Sequence, residues 1–99
     1  MTVAETSIQT LTELHKAGKI TLQESNVLQA LLQVDYFPTR NELKQEEMSD
    51  WEKSTISGRV NGLVEKGFVE ELPKRNDKFN GRKSKVLMPL EDKIREEVL

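Results

Sequence analysis

Ser54-Thr55-Ile56-Ser57-Gly58-Arg59-Val60-Asn61-Gly62-Leu63-Val64-Glu65-Lys66-Gly67 is the stretch on which the reading of this chain turns. Ile56, Val60, Leu63 and Val64 recur at i, i+4, i+7 and i+8, which predicts a helix over Glu52–Lys66 with one apolar stripe. Gly67 then supplies the left-handed residue that commonly ends such a helix. At about 100° per residue, the face opposite the stripe holds Ser54, Thr55, Gly58, Asn61, Gly62 and Glu65, with Ser57 and Arg59 at its flanks. Each glycine in a helix costs about 1 kcal/mol against alanine. Two such losses on one face are accounted for if something packs closely there. Alanine at both positions is then expected to stabilise the helix and weaken whatever that face binds.

Working upstream, Thr39-Arg40-Asn41-Glu42 is a capping box, in which hydroxyl and carboxylate satisfy amides at a helix start. It predicts a short helix to about Glu47, anchored by Leu43, and Met48-Ser49-Asp50-Trp51 reads as the turn that follows. A second box, Thr21-Leu22-Gln23-Glu24, opens a helix over Leu22–Gln33 with Val27, Leu28, Leu31 and Leu32 on one face. Before it, Ile8, Leu11 and Leu14 have helical spacing in Ala4–Lys16, with Gly18 as the stop. Asp35-Tyr36-Phe37-Pro38 interrupts the pattern and leaves a short extended stretch.

Downstream the periodicity changes. Phe68–Leu72 and Lys85–Leu90 read as strands, joined by a loop over residues 73–83 rich in turn formers and cations. Lys74, Arg75, Lys78, Arg82 and Lys83 stand there against the single Asp77, with Lys85 in the next strand. Phe79 is expected to fold back on the hairpin, the alternative being insertion into a bound surface. Glu91–Leu99 reads as a tail or short amphipathic helix through Ile94 and Val98.

The chain has 99 residues, no cysteine and a net charge of −2. That length suits one domain, and the missing thiols exclude disulfides and thiolate metal sites. No apolar run approaches the ~20 residues that span a bilayer, and a basic-then-apolar leader pattern is absent at the N-terminus, so a cytoplasmic location is expected. The charge is unevenly spread. Residues 1–52 carry four basic and nine acidic side chains, residues 53–90 nine and four, and residues 91–99 two and four. Binding responds to that local field, not to the total.

Helix, helix, short helix, turn, helix and basic hairpin in that order describe a mainly α protein with a small β-hairpin (α+β), a winged helix-turn-helix. One domain over 1–99 is expected: an N-terminal helix at 1–18, a helical core at 21–72 with the helix-turn-helix at 39–66, a wing at 68–90, and the tail. The helix over Glu52–Lys66 then takes the recognition position, where small polar side chains allow close approach in a major groove about 12 Å wide. Ser54, Thr55, Ser57, Arg59 and Asn61 are the candidate DNA contacts on it, Asn61 suited to adenine and Arg59 to guanine or phosphate. Lys74, Arg75, Lys78, Arg82 and Lys83 are the candidates on the wing, for phosphates or a minor groove.

Residues Ile20 to Asp92 resemble the winged-helix core of the multiple-antibiotic-resistance regulator (MarR) type of bacterial transcription factor. The matching pieces are Ile20-Thr21-Leu22-Gln23-Glu24 with Val27-Leu28, Ser54-Thr55-Ile56-Ser57-Gly58-Arg59-Val60, and Leu63-Val64-Glu65-Lys66-Gly67-Phe68-Val69-Glu70. The resemblance implies a small bacterial transcription regulator that binds duplex DNA, with Arg82 as the candidate wing-tip arginine, while the short chain is similar in size alone to small phage-type DNA-binding proteins. It also implies a homodimer through terminal helices, which are short in this chain.

Other chemistry finds little support. His15 is the only histidine and lacks ligand partners at metal spacing, and no nucleophile signature accompanies it. Gly58-x-x-x-Gly62 lacks the lysine and hydroxyl of a phosphate loop. No enzyme, cofactor or metal site is therefore expected. Trp51 is expected as a core plug between the two motif helices, with base stacking as the lesser alternative. Glu46, Glu47, Asp50 and Glu52 read as solvated acids near a helix start. The rival function is a protein–protein adaptor or anti-repressor that uses those four acids, with Ile94, Val98 and Leu99 docking on a partner.

Overall fold

A computed structural model describes the backbone of residues 3–98 and the side chains of residues 8–98. Met1 and Thr2 of the expected N-terminal segment, and Leu99 of the expected docking set, lie outside the described residues. The described chain is a small α+β unit of five helices and one two-stranded antiparallel hairpin, in the order α1 (Val3–Lys16), α2 (Leu22–Gln33), α3 (Arg40–Glu47), α4 (Lys53–Glu65), β1 (Val69–Asn76), β2 (Lys83–Pro89) and α5 (Glu91–Glu96).

Helix boundaries follow local chemistry. Both capping boxes form: Thr21 and Thr39 accept from the amides of Glu24 and Glu42, whose carboxylates return to the threonine amides at 2.9 and 3.0 Å. α1 and α4 end on Gly18 and Gly67, at φ +75° and +85°. In each case the next residue's amide reaches back to close the last turn, Lys19 to the Leu14 carbonyl and Phe68 to that of Leu63.

The buried side chains form one cluster. Leu14, Leu28, Leu43, Ile56, Leu63 and Leu87, from α1 to α4 and β2, are fully enclosed, and each contributes about 1.5–3 kcal/mol. Trp51 is half-buried against this cluster. No helix among the described residues is long and apolar enough to cross a membrane.

Several expectations are corrected. The hairpin is longer than its sequence suggested: Val69 pairs with Pro89 and the ladder runs on to Asn76 opposite Lys83, so the loop is 77–82 and not 73–83. Pro73 has no N–H to give a ladder, yet it does not end the strand. A bulge between Leu72 and Arg75 takes it out of register instead. Lys74, Arg75 and Lys83 thus stand on strands. Phe79 is 52% exposed, with Lys78 Nζ 5.8 Å from its ring centroid.

Ile94 is buried in the core and so is not available to dock on a partner, while Val98 is half-buried against the same core. The reason is that α5 lies against α1, with Lys19 and Glu97 3.3 Å apart. Glu46 and Glu47 sit at the C-terminal end of α3, not at a helix start. Gly62 is half-buried and not on the open outer face. It packs on Glu24 of α2, and a Cβ there would overlap Glu24 Oε2, whereas one at Gly58 meets open space.

Candidate nucleic-acid interface

The inner face of α4 buries Ile56, Val60 and Leu63, which fixes what its other sides present. Ser54, Gly58 and Asn61 are exposed, while Thr55 and Ser57 are half-buried at the edges of that face. Arg59 turns toward α2, close enough for its charge to favour the ionised form of Glu24. The sequence candidates on this helix therefore divide. Ser54, Thr55 and Asn61 share one outward surface, and Arg59 lies apart from it.

Beside that surface runs a cleft of about 300 Å³ between the hairpin and the starts of α3 and α4. Arg40, Lys53, Lys74, Lys83 and Lys85 line it with Asn41 and Ser84, and no carboxylate does. Lys53, Lys74, Lys83 and Lys85 make no ion pair with any described residue, so their charges are uncompensated at short range. Arg40 is held differently: Nη1 lies 3.0 Å from Glu71 Oε2, and Nη2 donates to Asn61 Oδ1 at 2.8 Å.

Of the cleft, sequence reasoning picked out Lys74 and Lys83, noted Lys85, and missed Arg40 and Lys53. A signal for those two existed. Each is the first residue of its helix, where the macrodipole disfavours a cation by about 0.3–1 kcal/mol. A cation opening two helices in succession is therefore unexplained by helix stability alone.

The other hairpin cations are committed elsewhere. Arg75 grips buried Glu42 with both terminal nitrogens, Nη2 to Oε1 at 2.5 Å and Nη1 to Oε2 at 2.7 Å, and Nη2 also donates to the Phe37 carbonyl. Lys78 gives its amide to Glu42 Oε2 at 2.9 Å, and its Nζ pairs with Glu46 at 2.8 Å above the Tyr36 ring. Tyr36 Oη donates to the same Glu46 carboxylate. One acid of the proposed acidic face is thus occupied within the chain, leaving Glu47, Asp50 and Glu52 exposed.

Asp77, which read as a lone acid in a basic loop, is only 2% exposed. Its Oδ2 accepts from Thr39 Oγ1 at 2.5 Å, and its Oδ1 from Asn41 Nδ2 and the amides of Phe79 and Asn80. Burial alone would raise its pKa, but those hydrogen bonds to the charged form bring it down to about 2. Glu42 is likewise lowered to about 2, chiefly by the hydrogen bonds from Arg75. Both carboxylates stay charged through the ordinary pH range and fasten the hairpin loop to the start of α3. Arg82, at the far end of the loop, is exposed and unpaired among the described residues, so of the loop cations it is the one left to reach outward.

No group of histidine, cysteine or carboxylate side chains among the described residues is arranged to hold a metal ion. A scan against protein-family models finds no match to this chain, and a search of the curated proteins finds none either.

Proposed function

We propose that this chain is a winged helix-turn-helix protein that binds duplex DNA, a small MarR-like transcription regulator and not an enzyme. The observation that carries the reading is the cleft lined by five cations and no acid, next to the small-residue face of α4. In this reading α3 and α4 are the motif helices, and Ser54, Thr55 and Asn61 approach base edges in the major groove. Lys53, Lys74, Lys83 and Lys85, whose charges are unpaired among the described residues, seat a run of phosphates beside it, with Arg40 held between Asn61 and Glu71 at the cleft wall. The hairpin is the wing, with Arg82 turned to a neighbouring phosphate or the minor groove. Arg75 and Lys78 hold the wing in place and do not themselves meet DNA. A cytoplasmic setting and a dimer of such units accompany this reading as parts of the proposal.

A specific observation also favours an adaptor: Phe37 and Phe79 are exposed at 46% and 52%. Its acidic half is weakened because Lys78 neutralises Glu46.

Fluorescence anisotropy on a randomised duplex pool separates the two. Lys53, Lys74, Lys83 and Lys85 replaced together by Ala leave the Glu42 and Asp77 contacts untouched. Each phosphate contact contributes about −0.9 to the log–log salt slope, so the variant is expected to lose a slope of about 3–4 and most of the affinity at low salt. Binding absent from the folded wild type at about 50 mM salt would reject the DNA reading in favour of the adaptor.

A further inference from the structure

The cation-lined cleft lies along one flank of α4. That flank faces the hairpin: Arg40 bridges Asn61 to Glu71 on β1, and Lys53 lines the cleft together with Lys74, Lys83 and Lys85. The other flank faces α2, where Gly62 packs on Glu24 and Lys66 Nζ lies 2.6 Å from Glu24 Oε1. A helix with its side chains is about 10–12 Å across, close to the about 12 Å width of the major groove. A helix seated there has the backbone of one strand on each side. Cations on the hairpin flank alone reach only one of the two.

On the α2 flank the choice is narrow. α2 contains no basic residue, Gly62 has no side chain, and Lys66 is taken by Glu24. Arg59 is left, six positions after Lys53 and so about 120° around the helix from it. It is half-buried, and its Nε is closed off from solvent with no hydrogen-bond partner. The two terminal nitrogens also bond to no described residue, but they remain open to solvent. Glu24 is already served by the Thr21 amide and Lys66, so it does not claim them. A guanidinium whose stem is packed between two helices has lost much of its freedom before it binds. Its open fork suits a phosphate, which accepts two parallel N–H bonds at once.

We infer that Arg59 binds a backbone phosphate of the strand across the major groove from the one seated by the cleft, so that α4 is gripped from both walls. The inference rests on the duplex-DNA reading proposed above. Of the two partners the sequence left open for Arg59, guanine or phosphate, it selects the second and assigns the strand.

The test compares wild type, Lys53→Gln, Arg59→Gln, Arg59→Lys and the Lys53→Gln/Arg59→Gln double variant on a duplex that wild type selects from a randomised pool. Each protein is first shown to be folded by circular dichroism. One lost phosphate contact lowers the log–log salt slope by about 0.9, so each single Gln variant is expected to lose that much and the double variant about twice as much. Arg59→Lys keeps the charge and is expected to keep the slope. Single uncharged methylphosphonates along each strand then locate the contacts. The substitution that weakens wild type but not Arg59→Gln is expected on one strand, and the one without effect on Lys53→Gln on the other. An unchanged slope in Arg59→Gln would mean that the side chain only packs, and would overturn the inference with DNA binding intact. Both positions on one strand would overturn it equally. Sensitive phosphates confined in wild type to the strand that Lys53 touches would do so without any Arg59 variant. Absence of salt-sensitive duplex binding by wild type, or binding with no selected site, would instead overturn the placing of α4 against base edges, and this inference with it.

Discussion

The two capping boxes, Thr21–Glu24 and Thr39–Glu42, are the same four-residue device, and their carboxylates are similarly buried, at 5% and 0% exposed. Their surroundings make them different objects. Glu24 spends Oε1 on the Thr21 amide and on Lys66 Nζ, 2.6 Å away at the C-cap of α4. Glu42 gives Oε1 to the Thr39 amide and Arg75, and Oε2 to Arg75 and the Lys78 amide. Thr39 adds a bond to Asp77 that Thr21 has no counterpart for. A capping box uses only part of a carboxylate's acceptor capacity. What fills the remainder decides whether the box is a helix start or a joint between distant segments.

Removing each carboxylate breaks the comparison most sharply. Glu42→Ala leaves Arg75, the Lys78 amide and the Thr39 amide without their shared partner in a closed site, and is expected to cost about 3 kcal/mol. Glu24→Ala loses a cap and a half-exposed lysine contact, for about 1 kcal/mol. Urea denaturation measures both. Hydrogen exchange should also show the amides of Phe79 and Asn80 opening in Glu42→Ala and staying protected in Glu24→Ala. Equal losses from the two variants would mean that the hairpin contacts contribute nothing beyond the cap.

Acid sharpens the same contrast. Glu42 and Asp77 titrate near 2 when folded, against ordinary values of 4.5 and 3.8. The unfolded chain therefore takes up protons first, and their contribution, complete above about pH 5, is lost as the pH falls toward 2. Arg75 is the leading influence on Glu42. Arg75→Met should move the onset of acid unfolding, followed by far-ultraviolet circular dichroism, to higher pH. For Glu24, burial leads and opposes the lowering, with the Lys66 hydrogen bond next. Lys66→Met should shift the onset less, and an equal shift would erase the distinction between cap and joint.

This division also explains what was legible in the sequence. Both boxes, the stop at Gly67 and the apolar stripe of α4 could be read because each signal lies within a few residues of its effect. The hairpin loop could not be read in the same way. Its partners, Glu42 for Arg75 and Thr39 for Asp77, are 33 and 38 residues away. From composition alone, residues 73–83 look like a loop of free cations, yet Arg75 and Lys78 are consumed in holding it. The cleft was legible in part: Lys74 and Lys83 stood out as cations, but only the packing of α3 and α4 against the hairpin adds Arg40 and Lys53.

The two glycines of α4 give the smallest and most discriminating prediction. Sequence alone treats Gly58 and Gly62 alike, as helix-weakening residues on one outward face. Gly58→Ala meets open space and should stabilise by about 0.5–1 kcal/mol. Gly62→Ala gains the same propensity, but its methyl group displaces the Glu24 carboxylate, which the Thr21 amide and Lys66 hold by its other oxygen. Propensity and displacement oppose each other and should roughly cancel, because shifting the carboxylate costs no more than removing it does, about 1 kcal/mol. The decisive measurement is the double-mutant cycle. In a Glu24→Ala background the obstruction is gone, so Gly62→Ala should turn stabilising, while Gly58→Ala should have the same effect in either background. If Gly62→Ala is stabilising with Glu24 present, the carboxylate is mobile, and the first capping box is looser than the second in its cap as well as in its long-range contacts.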